Sequence, residues 1–94
     1  MTFSEQILDF YFSMPRSLPL PNGVETIYPF DNEETQRVMK TFFNKYYDDT
    51  KSRTYLIGIN PGRLGSGITG IGFADGYHLE EYCDIANSFD KRVE

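Results

Sequence analysis

The spacing of apolar residues predicts two helices in the first half of the chain. Thr2 and Glu5 have the spacing of a capping box, and an apolar stripe with helical period follows them. Asp31 and Glu34 repeat that spacing before a second, longer stripe that ends near Tyr47. The first stripe consists of Ile7, Leu8, Tyr11 and Phe12, and the second of Val38, Met39, Phe42, Phe43, Tyr46 and Tyr47.

Residues 54–59 are apolar on both faces, which is typical of a strand inside a parallel sheet. Val24 to Tyr28 is a weak second strand candidate, after a proline-rich connection that ends the first helix. Seven of the eight glycines then fall between Gly58 and Gly76, and Leu79 to Ala86 has the spacing of a short helix. The order of helix, strand, glycine loop and helix predicts an α/β fold.

A single buried strand cannot form a sheet, because each unpaired buried backbone group costs about 1 to 3 kcal/mol. We therefore expect one partial domain over residues 1–94 with an incomplete parallel sheet. Its parts are a helical region 1–52, a strand and glycine-rich loop 53–76, and a short helix and tail 77–94. The missing part of the domain, or a second copy in a homo-oligomer, is expected as a partner.

Composition narrows the classes of function that this chain can have. Nine basic and fourteen acidic residues give a net charge of −5, so the surface as a whole does not suit phosphate binding. A basic run between Arg37 and Arg53 is interpreted first as a solvated helix face. One cysteine and one histidine leave no disulfide and no metal site, and we expect no cofactor. Without a long apolar stretch or a basic leader, we expect no membrane contact and a cytoplasmic location.

The glycine-rich loop fits the common phosphate-binding motifs poorly. Gly65 to Gly70 satisfies G-x-G-x-x-G, but it does not follow the strand directly and no good helix pattern follows it. A P-loop would also need a lysine, which this run does not contain. The loop therefore points to a different chemistry.

The segment Gly58-Ile59-Asn60-Pro61-Gly62, followed by Thr69-Gly70 and then Phe73, resembles the first active-site motif of the uracil-DNA glycosylase superfamily. It is most similar to the single-strand-selective monofunctional and the mismatch-specific uracil-DNA glycosylases. The resemblance is specific from Gly58 to Asp75. It implies the N-terminal part of a three-layer α/β/α domain that hydrolyses the N-glycosidic bond of uracil in DNA, in base-excision repair, with uracil-containing DNA as the partner.

The resemblance also implies roles for individual residues. Asn60 would be the catalytic residue, holding the attacking water, and Phe73 would stack on the extruded base. Arg63, where the family usually has an uncharged residue, would contact a phosphate. Read without the resemblance, Asn60 is a turn residue bonded to its own backbone, and Phe73 is a buried side chain under the loop. The remaining substrate-binding residues would be Ile59, Gly62, Leu64 and Gly65.

The family completes its site with a second motif, whose histidine stabilises the departing base, and with an asparagine that reads the uracil edge. His78 is interpreted instead as a surface loop residue, and Asn87 lies too close to the first motif to be the reader. We therefore expect the chain alone to be inactive. Two alternatives are a non-catalytic module that binds a base or assembles into oligomers, and a glycine loop that is only a flexible connector.

Overall fold

The computed structural model describes residues 1–58 and 60–92. Within these ranges the chain forms four α-helices and one turn of 3₁₀-helix. They are α1 (Phe3–Phe12), the 3₁₀ turn (Pro29–Asp31), α2 (Glu33–Tyr46), α3 (Ser66–Thr69) and α4 (Gly76–Cys83). In this part of the chain every helix is too short or too polar to traverse a lipid bilayer.

The two helices predicted in the first half are confirmed, with one change at a cap. Thr2 begins α1 as predicted, because its hydroxyl accepts the Glu5 N–H at 3.2 Å. The cap of α2 is Asn32 and not Asp31, and its Oδ1 accepts the Thr35 N–H at 3.1 Å. Asp31 instead ends the 3₁₀ turn that precedes the helix.

The last helix begins three residues before its predicted start. Asp75 caps α4, because its Oδ1 accepts the His78 N–H at 2.8 Å. The helix ends at Cys83, since Asp84 takes a left-handed conformation with φ of 56°. The side-chain cap therefore decides where this helix begins, and the apolar spacing from Leu79 to Ala86 does not.

The prediction of an α/β fold, with part of an α/β/α sandwich and an incomplete parallel sheet, is wrong for the described residues. Their regular structure is helical only, and neither residues 53–58 nor Val24–Tyr28 form a strand. A strand needs a neighbouring strand for its hydrogen bonds, and the described residues supply none. Tyr55, Leu56 and Ile57 are instead 69%, 81% and 89% exposed.

Helix α2 is the centre of the core. It contributes Val38, Met39 and Phe43, which pack with apolar residues from the second half of the chain and against the inner face of α1. The residues that α2 meets from the second half are Ile71, Leu79 and Ile85. The helices predicted from local spacing thus build the core by long-range contact with the glycine loop and α4.

Gly70 lies directly beneath α2. It has a left-handed φ of 75° and ends α3. A Cβ atom at this position would lie 2.4 Å from the Met39 Sδ and 3.1 Å from the Thr35 Cγ2. Both neighbours are fully buried, so neither has room to move away. At residue 70, where the loop contacts α2, only glycine fits.

Helix α2 is also bonded to the segment that follows α4. Glu34 accepts hydrogen bonds from the Arg37 guanidinium at 2.7 Å and from the Ser88 N–H at 2.7 Å. Arg37 in turn donates to the Ala86 carbonyl at 2.7 Å. The Arg37 hydrogen bond, with a smaller contribution from Ser88, lowers the pKa of Glu34 from 4.5 to about 2 against the opposing effect of burial.

We predict that Gly70→Ala destabilises the protein by about 2 to 4 kcal/mol, because it combines backbone strain with overpacking against Met39. Gly72→Ala is the matched control, since a Cβ atom at residue 72 would meet no other atom within 4 Å and its φ is not left-handed. That control is expected to change stability by less than about 1 kcal/mol. Urea unfolding followed by circular dichroism measures both, and equal stabilities of the two variants would contradict the packing argument.

We predict that Glu34 contributes to stability against acid. Its folded pKa is depressed, so its contribution is present above pH 4.5 and is lost as the pH falls toward about 2. Glu34→Gln should therefore be less stable than wild type at pH 6 and should lose less stability between pH 5 and about 2.5. Glu33→Gln, an exposed neighbour on α2, is the control. An unchanged pH profile of unfolding in Glu34→Gln would rule out this role.

Candidate functional site

A cavity of about 740 Å³ separates the N-terminal part of the chain from the glycine-rich loop. One wall comes from α1 and from the residues around the 3₁₀ turn, including Tyr11, Ile27 and Phe30. The other walls come from residues 55–58 and from the loop between Asn60 and Asp75. The volume lies in the range of small-molecule sites, which is roughly 300 to 1,000 Å³.

The structure brings together five of the predicted site residues at this cavity. Arg63 is exposed, and its charge contributes to lowering the pKa of Asp90, after the larger effect of Arg92. Ile59 lies outside the described residues. The five residues on the cavity wall are Asn60, Gly62, Leu64, Gly65 and Phe73.

The turn after Asn60 is held by backbone hydrogen bonds. The Gly62 carbonyl accepts the N–H groups of Gly65 at 3.1 Å and Gly67 at 3.0 Å. A Cβ atom on Gly67 would lie 2.7 Å from the Gly62 oxygen, so the turn closes more tightly than any side chain would allow. These bonds argue against the alternative that the loop is only a flexible connector.

Phe73 is presented at the cavity in a strained conformation. Its φ is 62°, a left-handed value that is unusual for any residue except glycine, and its side chain is 83% exposed. The ring lies over the backbone of Gly58, where a Cβ atom would be 3.4 Å from the Phe73 Cζ. The interpretation of Phe73 as a buried side chain under the loop is therefore wrong.

Asp75 places one carboxylate on the cavity wall. Its Oδ1 lies 2.8 Å from the His78 Nδ1 and accepts the His78 N–H at 2.8 Å. Burial acts to raise the pKa of Asp75, but the hydrogen bonds from His78 outweigh it and hold that pKa below its ordinary value. His78 is not a loop residue, because it lies in α4, where its ring stacks on Tyr82 with centroids 5.5 Å apart.

Sequence reasoning did not find the aromatic and aliphatic wall opposite the loop. In the sequence, Tyr11 lies on the apolar face of the first predicted helix and Ile27 in the weak strand candidate Val24 to Tyr28, and no element is predicted for Phe30. Their pattern carries no local signal for a site, because it does not differ from that of core residues. The helical packing alone brings them opposite Phe73.

Comparison with known proteins shows a similarity to a solved structure. No protein-family model matches the chain, and no curated protein matches it. Among solved structures, the chain is similar to SMUG2 of Pedobacter heparinus in its wild-type crystal structure, with 38% sequence identity and a TM-score of 0.90. The match covers 100% of this chain and 41% of that protein, so the chain spans less than half of its length.

This similarity supports the resemblance that was first seen in the glycine-rich loop, because SMUG2 is a protein of the uracil-DNA glycosylase superfamily. It also extends the resemblance to the helical region before residue 53, where no sequence motif pointed to a family. Over its whole length, the chain is similar to part of a uracil-DNA glycosylase superfamily protein.

Proposed function

We propose that this chain carries the water-positioning and base-stacking half of a uracil-DNA glycosylase site, which acts in base-excision repair when the domain is complete. The observation that carries the proposal is that Asn60 and Phe73, the two residues that match the family motif, line one cavity. Similarity to SMUG2 across the full chain gives it independent support. Uracil-containing DNA is the proposed partner.

The proposed chemistry makes modest demands on the residue that activates water. Cleavage of the N-glycosidic bond passes through a cationic sugar, and uracil departs as a resonance-stabilised anion. The attacking water therefore needs positioning more than deprotonation, and the neutral amide of Asn60 is sufficient for that. The closed Gly62 turn next to Asn60 limits the backbone motion that would misplace the water.

Recognition of the base would rely on Phe73 and the loop backbone. Extruding a nucleotide costs a few kcal/mol, and stacking on an aromatic ring returns about 1 to 3 kcal/mol per base. The exposed ring of Phe73 is available for such stacking, while Gly62, Leu64 and Gly65 would shape the pocket edge. Arg63 remains the proposed phosphate contact.

We propose that the chain alone does not release uracil at an appreciable rate. A departing base anion needs a hydrogen-bond donor or a positive charge close to it, and this is usually the largest electrostatic contribution to such a reaction. His78 is the only histidine, and its Nδ1 is paired with Asp75 on α4. No lysine or arginine is among the described residues that line the cavity. The second candidate function is therefore base binding without catalysis.

We expect free uracil to bind the chain saturably and Phe73→Ala to weaken that binding about 5- to 150-fold, which corresponds to the loss of 1 to 3 kcal/mol of stacking. Phe10→Ala is the matched control, because Phe10 is 63% exposed and does not line the cavity. Calorimetric titration measures the affinity. Incubation with uracil-containing single-stranded and duplex DNA should yield no abasic sites.

Two outcomes of these assays would change the proposal. Robust abasic-site formation that Asn60→Ala abolishes would show that the chain is an active glycosylase and that the prediction of inactivity is wrong. A lack of saturable uracil binding, or equal affinities of the Phe73 and Phe10 variants, would contradict the proposed base site altogether.

We further propose that a polypeptide covers the exposed apolar segment Tyr55–Ile57, as the missing part of the domain. Contiguous exposed apolar patches mark interaction sites, and this segment exposes three consecutive apolar side chains. The neighbouring protein is more than twice as long as this chain, which favours the rest of the domain over a second copy as the occupant.

We predict that the chain binds the dye 8-anilinonaphthalene-1-sulfonate as a monomer and that Leu56→Lys with Ile57→Lys removes most of this binding, because the segment is then no longer apolar. The same double change at Leu18 and Leu20, which are exposed but lie outside the cavity, is the control. Sedimentation equilibrium distinguishes the occupants. A dimer that the Leu56/Ile57 change dissociates would support a second copy, and a monomer that binds no dye would contradict both.

A further inference from the structure

The strained backbone at Phe73 occurs in a short turn between Ile71 and Ala74. The Ala74 N–H donates to the Ile71 carbonyl at 3.3 Å, which closes the turn. Phe73 is the third residue of this turn, where a left-handed φ usually requires glycine, yet the glycine stands one position earlier, at Gly72. A non-glycine residue persists in such a conformation only when the surrounding structure holds it there.

The group that holds this turn is the hydroxyl of Thr69. Its side chain is fully buried. Its Oγ1 accepts the Ile71 N–H at 3.1 Å. Its single proton can be donated to the Ala74 oxygen at 3.0 Å or to the Ile71 oxygen at 3.3 Å, and the shorter contact is to Ala74. One hydroxyl thus bonds to both ends of the turn that contains Phe73.

A second contact limits where the ring of Phe73 can lie. Its Cζ and Cε1 atoms would be 3.4 Å and 3.7 Å from a Cβ atom at Gly58, so the ring rests on bare backbone two residues before Asn60. A change in the turn would move the ring away from this support. The turn geometry therefore controls the position of the ring relative to Asn60.

We infer that Thr69 is the positioning residue for Phe73: its buried hydroxyl holds the left-handed turn that keeps the aromatic ring over Gly58 at the cavity. The effect of Thr69 on the position of the Phe73 ring does not depend on any ligand. The effect of Thr69 on base stacking rests on the proposed function, because it assumes that uracil stacks on Phe73.

A simpler interpretation is that Thr69 only satisfies its own hydrogen bonds in a tight core. Thr35 allows the two to be separated, because it is equally buried and its hydroxyl donates to the Ile68 carbonyl at 2.7 Å, ahead of the turn. Removing either hydroxyl should destabilise the protein. Only the Thr69 hydroxyl is expected to control the mobility of residue 73.

The experiment uses Phe73→Trp as a reporter, since the chain contains no other tryptophan. Thr69→Val, Thr69→Ser and Thr35→Val are added separately, and folding is verified by circular dichroism. We expect Thr69→Val to lower the steady-state anisotropy of the tryptophan and to raise its acrylamide quenching constant at least twofold. Thr69→Ser, which keeps the hydroxyl, should restore both values, and Thr35→Val should leave both unchanged.

Any of three results would overturn the inference. The first is that anisotropy and quenching do not change in folded Thr69→Val, the second is an equal change in Thr35→Val, and the third is no recovery in Thr69→Ser. Amide hydrogen exchange of the unmutated chain provides a test if Thr69→Val does not fold. The Ile71 N–H should exchange at least tenfold more slowly than the Gly72 N–H, because Thr69 accepts it, and equal rates would contradict the role.

A uracil titration in the native Phe73 background separates this inference from the proposed function. We expect Thr69→Val to weaken uracil binding by no more than Phe73→Ala does, with recovery in Thr69→Ser. If Thr69→Val frees the reporter but the unmutated chain binds no uracil, the positioning role stands and the proposed function fails. The positioning role fails if uracil binds and Phe73→Ala weakens that binding, while Thr69→Val neither frees the reporter nor weakens uracil binding.

Discussion

The contact between helix α2 and the bare backbone of Gly70 is the constraint on which the remainder of the structure depends. Met39 and Thr35 occupy the space that a side chain at residue 70 would need. The left-handed φ of Gly70 also ends α3 and turns the chain back beneath α2. The Thr35 hydroxyl adds a hydrogen bond to the Ile68 carbonyl at 2.7 Å. The glycine-rich loop is therefore packed against the core and is not a free connection.

This constraint packs the loop side of the cavity against α2. Before the turn that contains Phe73, the buried Thr69 hydroxyl lies 3.0 Å from the Ala74 oxygen, and after the turn Asp75 begins α4. Between these anchors the chain holds an exposed aromatic ring at a left-handed φ. Such strain is tolerated at functional sites because well-packed neighbours offset it. The loop is thus shaped before any ligand binds, which would favour the base stacking proposed above.

The cavity wall formed by residues 55–58 is different in character. Tyr55 keeps one ring contact, with Phe3 at 6.0 Å between centroids, while Leu56 and Ile57 are almost fully exposed. Arg53 anchors the start of this segment, because its guanidinium lies 5.2 Å and 4.6 Å from the ring centroids of Phe3 and Tyr47. The apolar character that suggested a strand is therefore real, but the described residues do not cover it. The similarity to 41% of a longer protein agrees with this contrast between a packed side and an open side.

The helices could be predicted because their signals act within a few residues. A cap and an apolar period each involve neighbours along the chain, and so the predicted limits of α1 and α2 agree with the structure to within about one residue. The predicted start of α4 is three residues late, because it rests on apolar spacing alone and the cap at Asp75 begins the helix earlier. The strand prediction failed for a different reason. A strand exists only with a partner, and no pattern within residues 53–58 can supply one.

The local chemistry of the loop can be predicted from neighbouring residues: the amide of Asn60, the Pro-Gly turn at Gly62 and one aromatic residue at a fixed spacing. Each of these depends on residues close together along the chain. Tertiary packing alone leaves Phe73 exposed, brings the Thr69 hydroxyl against its turn, and makes Tyr11 and Ile27 part of the wall that faces the loop. These outcomes depend on how α2 packs against Gly70, which is a contact between residues some thirty positions apart that no local pattern encodes.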